Sequence, residues 1–157
     1  MVAESVGLDE FDLRILRILQ EEGRIPVQEL SERVGLSATP VARRMRAMEA
    51  AGIITGYAAL LDEAALGYGV QVFVSVKLDR QVDQALVQFE AAIRELPEVV
   101  DCWLMTGNRD YLLRVVTAGL AEFEAFLTGR MTRIAGVASL ESSIPLRRVK
   151  SGIHRGV

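Results

Sequence analysis

Val34-Gly35-Leu36-Ser37 is the most constraining stretch of this chain, because two helical patterns meet across it with only Gly35 and Leu36 between them. On the near side Val27, Leu30 and Val34 recur at helical spacing. Pro26 precedes them and suits the first turn of a helix, where no N–H partner is lost. Gly35 supplies the left-handed residue on which such a helix stops. On the far side Ser37 stands as a cap, Leu36 is placed to staple on Val41, and Val41, Met45 and Met48 follow at i, i+4 and i+7. Pro40 is tolerable there, since the first-turn N–H groups have no intrahelical partner.

A third helix precedes this pair. Asp9 can cap it, Asp12 three residues on is a short version of a capping-box acid, and Leu8 can staple against Leu13. Ile15, Leu16 and Leu19 make its buried stripe, and Gly23 ends it. Three helices with a tight second turn form a helix-turn-helix, although a plain three-helix bundle has the same topology. Charge separates the two. From Ser37 to Met48 the charged residues are Arg43, Arg44 and Arg46, and the helix opens with the small hydroxyl residues Ser37 and Thr39.

A compact end that enters the major groove, followed by arginines for phosphate or guanine, is the composition of a recognition helix; a solvated basic face is the alternative. The DNA reading places Ser37, Ala38, Thr39 and Arg43 toward base edges or nearby phosphates, with Arg44 and Arg46 on the backbone. Beyond Gly52, the residues Ile53, Ile54, Tyr57, Leu60 and Leu61 read as a short hairpin or wing.

The overall charge limits this reading. The 157 residues carry a formal net charge of -3, with a pI near 5.3. That excludes a bulk nucleic-acid binder, whose domains typically have pI above about 9. Residues 1–60 hold nine acidic and seven basic side chains, the acids lying mainly in the first two helices and at Glu49. Any DNA-binding face is therefore small and local. One cysteine, Cys102, and one histidine, His154, allow no internal disulfide and no ordinary zinc site, so neither metal nor cofactor is expected. Cys102 reads as a small core hydrophobe. No apolar run approaches the roughly 20 residues that span a bilayer. Met1–Glu10 lacks the basic start and apolar centre of a signal peptide, so the expectation is a cytoplasmic protein without membrane contact.

The texture changes after Gly69. Val70, Val72, Val74, Val76 and Leu78 alternate on one face of a strand. A helix over Val82–Leu96 carries Val82, Leu86, Phe89, Ile93 and Leu96, and strands over Val99–Thr106 and Tyr111–Thr117 flank Gly107–Asp110. A second helix carries Leu120, Phe123, Leu127 and Met131, and a last strand over Val137–Leu146 alternates through Ala138, Leu140, Ile144 and Leu146. The order β-α-β-β-α-β is a ferredoxin-like split unit with both helices on one sheet face. The expected class is therefore α+β. Its divisions are a DNA-binding domain at 1–55, a linker or wing at 56–67, a sheet domain at 68–150 and a flexible tail at 151–157.

An uncovered sheet face should be polar. Yet the middle strands are apolar on both sides: Cys102 and Leu104 against Trp103 and Met105, and Tyr111, Leu113 and Val115 against Leu112 and Val116. A second subunit is the expected cover, which predicts a homodimer through the sheet.

The ordered set of motifs resembles the leucine-responsive regulator (Lrp)/AsnC family of transcription factors over Leu8–Lys150. The resemblance rests on Leu8-Asp9-x-x-Asp12-x-x-Ile15-Leu16, on Gly23-Arg24, and on Glu29-Leu30-Ser31-x-Arg33-Val34-Gly35-Leu36-Ser37-x-Thr39-Pro40-Val41-x-x-Arg44. It continues through Glu49-x-x-Gly52-x-Ile54-x-Gly56-Tyr57, Gly107-x-x-Asp110-Tyr111-Leu112-Leu113, Gly136-Val137 and Val149-Lys150. Ala47 stands where many relatives carry Arg, and Met48 where Leu is usual.

The resemblance implies a winged helix-turn-helix that binds double-stranded DNA and a C-terminal ACT-like domain that senses an amino acid. It also implies homodimers that assemble into tetramers or octamers. The effector site it implies comprises Thr106, Gly107, Asn108, Asp110, Tyr111 and Gly136. The turn itself agrees: Gly107 permits close backbone approach, Thr106 and Asn108 offer neutral hydrogen bonds, and Asp110 is a carboxylate for a ligand ammonium. A hairpin whose Asn108 and Asp110 merely satisfy turn geometry is the other reading. An enzyme of similar two-domain architecture, a sirohaem-type tetrapyrrole decarboxylase, is the alternative function. It would want a buried histidine or paired charges in the second domain, whereas His154 lies in the tail.

Overall fold

The computed structural model describes residues 7–80 and 82–150. The chain divides into two units, one running to Leu60 and taking in Val149 and Lys150, the other spanning Leu61–Arg148.

In the first unit α1 is Glu10–Glu21, α2 is Val27–Val34 and α3 is Ala38–Ala50. The expected capping box is present: Asp12 N–H donates to Asp9 Oδ1 at 2.9 Å, and Asp9 N–H donates to Asp12 Oδ2 at 3.1 Å. Gly35 ends α2 at φ 80°, and the Gly35 and Leu36 N–H groups both donate to the Ser31 carbonyl. Ile15, Ile18, Leu30, Val34, Val41 and Met48 form the core, flanked by half-buried Leu16, Leu19 and Met45. Ile18, absent from the expected stripe, is buried because it lies three residues beyond Ile15.

Several local expectations shift. Pro26 is the N-cap of α2 rather than a residue of its first turn, and α1 ends at Glu21, before Gly23. Ser37 caps α3 by position only, since its side chain makes no capping hydrogen bond. The hairpin or wing expected from Ile53 to Leu61 forms no strand ladder. Gly52 adopts φ 70° and the Ile53 and Ile54 N–H groups return to the Met48 carbonyl, so donors that a strand would need close α3 instead.

In the second unit β1 is Val70–Leu78, α4 Asp83–Arg94, β2 Val99–Leu104, β3 Tyr111–Thr117, α5 Leu120–Gly129 and β4 Val137–Ser143. A 3₁₀ turn, Met131–Arg133, follows α5. The strands form one antiparallel sheet in the order β2-β3-β1-β4. Val72, Val74 and Val76 of β1 with Tyr111, Leu113 and Val115 of β3 meet Phe89 and Ile93 of α4 and Phe123 and Phe126 of α5. Both helices therefore cover one face. Each large apolar side chain buried there contributes about 1.5–3 kcal/mol.

The edges depart from simple alternation. A register shift at Lys77/Leu78 pairs Leu140 with Val76 and Val137 with Leu78, leaving Ala138 as the extra residue of a bulge. Val137 and Leu140, three apart, thus pack on the core while Ala138 is exposed. Ile144 and Leu146 lie past the end of β4 and are exposed. Val82 is the N-cap of α4 and Leu120 opens α5; both are exposed, because helix-end residues lie beyond the sheet they were expected to cover. Cys102, expected in the core, is exposed because β2 is an edge strand.

Candidate functional site

On α3, Thr39, Arg43 and Arg46 are spaced at i, i+4 and i+7 and form an exposed stripe, with exposed Ser37 and half-buried Ala38 at the helix start. Arg46 Nε donates to the Ala42 carbonyl at 3.2 Å, which lays its stem along the helix. The first N–H groups of α3 receive no side-chain cap, so this end keeps the partial positive charge of a helix N-terminus. These five residues of the expected DNA set lie together.

The sixth is turned away. Arg44 Nη1 lies 2.7 Å from Asp9 Oδ2 and 2.8 Å from Asp12 Oδ1, and its guanidinium carbon is 5.7 Å from the Phe11 ring centroid. Its side chain is only 26% exposed. Helical spacing accounts for this: Arg44 follows buried Val41 by three residues and precedes buried Met48 by four.

In the second unit the expected effector residues gather at one end of the sheet. Thr106, Gly107 and Asn108 are exposed in the β2–β3 turn, with Gly107 at φ 103°. Asp110 is 4% exposed: Oδ2 accepts the Leu78 N–H at 2.7 Å and Oδ1 accepts from Lys77 Nζ at 3.2 Å. The Asp110 N–H donates to the Val76 carbonyl, and Met105 N–H donates to the Asp110 carbonyl, so this residue pins the turn to β1. The carbonyl of Gly136, at φ 86°, accepts the N–H of Asp79, the residue just past the end of β1, at 2.9 Å.

Tyr111 departs from the set. It points to the helix-covered side, 4.5 Å from the Phe89 ring, and its hydroxyl donates to Glu90 Oε1 at 3.0 Å. Burial, reinforced by the Glu90 carboxylate, pushes its hydroxyl pKa well up. Strand alternation from Leu113 and Val115 already placed it on that face.

Residues that the sequence did not single out stand beside the turn. Arg109 Nη1 donates to Ser139 Oγ at 2.9 Å and Nη2 to Glu141 Oε2 at 2.6 Å. With Lys77 they set two cations and two carboxylates at this end of the sheet, Asp110 and Glu141 being the acids. No local pattern links residues some thirty positions apart; only the sheet order brings them together.

The sheet face opposite the helices carries half-buried Phe73 and Leu112 and exposed Trp103. At its centre Arg114 pairs with Asp101 at 2.6 Å and Glu63 at 2.9 Å. Among the described residues no cluster of His, Cys, Asp or Glu could hold a metal, and no helix is long and apolar enough to cross a membrane.

A helix-turn-helix with an exposed basic stripe, in one chain with a split β-α-β sheet domain carrying a polar turn, defines a DNA-binding regulator. A sequence model described as winged helix-turn-helix DNA-binding matches residues 8–55, and one described as the Lrp/AsnC ligand binding domain matches residues 71–153. The chain is 46% identical to the Bkd operon transcriptional regulator of Pseudomonas aeruginosa, over 90% of this chain and 93% of that one. It is 43% identical to the leucine-responsive regulatory protein of Rhizobium meliloti, over 92% and 93%. The crystal structure of a transcriptional regulator from Neisseria meningitidis in complex with L-Met superposes with a TM-score of 0.87 at 40% identity, covering 92% of this chain and 93% of that one.

The chain therefore belongs to the Lrp/AsnC family of transcriptional regulators. It is a DNA-binding regulator with an amino-acid-responsive domain and not an enzyme; nothing supports the decarboxylase alternative.

Proposed function

We propose that this regulator reads DNA through Ser37, Ala38, Thr39, Arg43 and Arg46 and acts in the cytoplasm as a homodimer or a higher assembly, tetramer or octamer. The exposed Thr39–Arg43–Arg46 stripe at an uncapped helix start is the observation that carries the DNA assignment. Small residues at the helix start fit the groove, the two arginines meet phosphate or guanine, and the positive helix end favours phosphate. A twofold dimer then binds two half-sites about one or more helical turns apart.

The test is a salt titration on a duplex that the protein selects from a random pool. Each phosphate contact lowers the slope of log K against log salt by about 0.9. Arg43→Ala and Arg46→Ala are each expected to make that slope shallower. Unchanged affinity and slope in both variants would remove α3 from the interface.

The effector belongs at the turn Thr106-Gly107-Asn108, over the platform held by Asp110 and Gly136. Exposed backbone N–H groups there suit a ligand carboxylate. Support for an amino acid comes from the matched ligand-binding domain and from the L-Met complex of the Neisseria relative. A panel of amino acids screened by thermal shift identifies the ligand, since binding to the folded state alone raises the melting temperature. A panel without any shift would remove the sensing role and leave the DNA assignment intact.

A further inference from the structure

Arg44 lies in the helix that reads DNA, but its charge faces inward. Each of its two acidic partners is divided between two tasks. Asp9 uses Oδ1 for the Asp12 N–H and Oδ2 for Arg44; Asp12 uses Oδ2 for the Asp9 N–H and Oδ1 for Arg44. The capping box of α1 and the ion pairs to α3 are thus one closed network, with the Phe11 ring under the guanidinium.

We propose that Arg44 is a positioning residue for DNA reading, fixing the angle of α3 against the first turn of α1 and making no phosphate contact itself. The proposal rests on α3 being the DNA-reading helix. Three observations carry it. Arg44 Nη1 is held between two carboxylates whose other oxygens are already engaged, so the pair of acids cannot follow Arg44 outward without opening the α1 cap. The Asp12 side chain is only 13% exposed, and Arg44 Nε is buried without a hydrogen-bond partner. An orphaned donor and partly buried charges are poor devices for stability alone; their better-attested use is to select one geometry. Finally, Arg44 is spaced with Val41 and Met48 on the buried side, whereas Arg43 and Arg46 share the opposite stripe with Thr39. Two carboxylates beside it also leave its surroundings net negative, which is unfavourable for a phosphate.

The experiment compares the intact chain with Arg44→Met, Arg44→Lys, Asp12→Asn and Arg43→Ala. Each is measured for affinity to the selected duplex, affinity to random duplex, and the salt slope, at a temperature where circular dichroism shows all of them folded. Arg44→Met keeps the apolar stem and is expected to reduce the selected-to-random affinity ratio by about tenfold, the scale of one misread base pair, with the salt slope unchanged. Arg44→Lys, which can still meet both carboxylates, should recover part of that ratio.

Asp12→Asn gives the sharpest sign. Losing a negative charge would strengthen DNA binding if only charge mattered, whereas a loosened α3 lowers the ratio. A slope that becomes shallower by about 0.9 per phosphate in Arg44→Met, as expected for Arg43→Ala, would make Arg44 a phosphate contact and overturn the proposal. An unchanged ratio in Arg44→Met and Asp12→Asn, with only lower melting temperatures, would reduce the network to a structural brace and overturn it too. If instead the intact chain shows no salt-dependent binding, the DNA assignment of α3 falls first and the proposal falls with it.

Discussion

Asp110 and Lys77 form an ion pair of 3.2 Å at the sheet end where the exposed turn begins, and the other Asp110 oxygen takes the Leu78 N–H at 2.7 Å. The two partners are unequal, since Asp110 is buried and Lys77 is one-third exposed. Removing the carboxylate strands a buried N–H, at a cost of about 1–3 kcal/mol. Removing the ammonium costs less, because Lys77 is one-third exposed and screened by solvent, and the carboxylate keeps the Leu78 N–H. Asp110→Ala should therefore lower the urea midpoint well beyond Lys77→Met, and should lose the effector response with it. Equal losses in the two variants would mean that the carboxylate's backbone bond is not what holds the turn.

Gly35 stands at φ 80° with nothing within 4 Å of where a Cβ would lie. The position is open in space but strained for any side chain, so Gly35→Ala should cost about 1–2 kcal/mol. For a unit of this size that is a fall in melting temperature of about 4–8 °C per kcal/mol. Gly35→Asn should cost less, as Asn tolerates the left-handed region. DNA specificity should follow stability here, because the joint sets how α2 meets α3. An Ala variant as stable as the parent would show that the turn relaxes to another backbone geometry.

The elements that sequence reasoning placed are those whose signals are local. The capping box needs only Asp9 and Asp12, three residues apart, and the α2 stop needs only Gly35. Alternation over Val70–Leu78 and the helix stripes placed the cores of both units in the same way. What escaped depends on long-range partners. Arg44 finds Asp12 across 32 positions, and Asp110 finds Leu78 across the same separation. Cys102 alternates like a core residue, but strand order puts β2 at the edge. Ala138 alternates with Leu140 in the sequence, and one inserted residue breaks that pattern in the ladder. For the candidate site, the residue types were legible in advance; which of them stand exposed and which are held by distant partners was not.

The Asp9 carboxyl is held below its ordinary value of 3.8, first by the Asp12 N–H and then by Arg44, against some opposing desolvation. A carboxyl depressed in the folded state adds stability that is full above the unfolded value and is lost as pH falls through the folded one. Asp9→Asn keeps a capping oxygen but removes the charge. The melting-temperature gap between parent and Asp9→Asn should thus be constant near neutrality and close below about pH 3.8, measured by scanning calorimetry. A gap that widens in acid would reverse the sign and discount the charged cap.

Trp103 pairs across the sheet with Leu112, so an aromatic–aliphatic pair lies on the face opposite the helices. Trp103 is 44% exposed and Met105, just past the end of β2, is 42% exposed. The cations on and beside that face are each paired: Arg114 with Asp101 and Glu63, Lys77 with Asp110, and Arg109 with Glu141. Burying the face against a second copy would therefore strand no lone cation, which is the usual penalty at such an interface. The protein should sediment as a dimer or a multiple of it at micromolar concentration. Trp103→Lys places a charge where an aromatic anchor is expected, and truncating such anchors costs about 2 kcal/mol or more. The variant should shift toward monomer while its circular dichroism stays that of the parent, since Trp103 lies outside the helix-covered core. A parent chain that sediments as a monomer, or a variant that dimerises as tightly as the parent, would rule out this face as the contact between subunits.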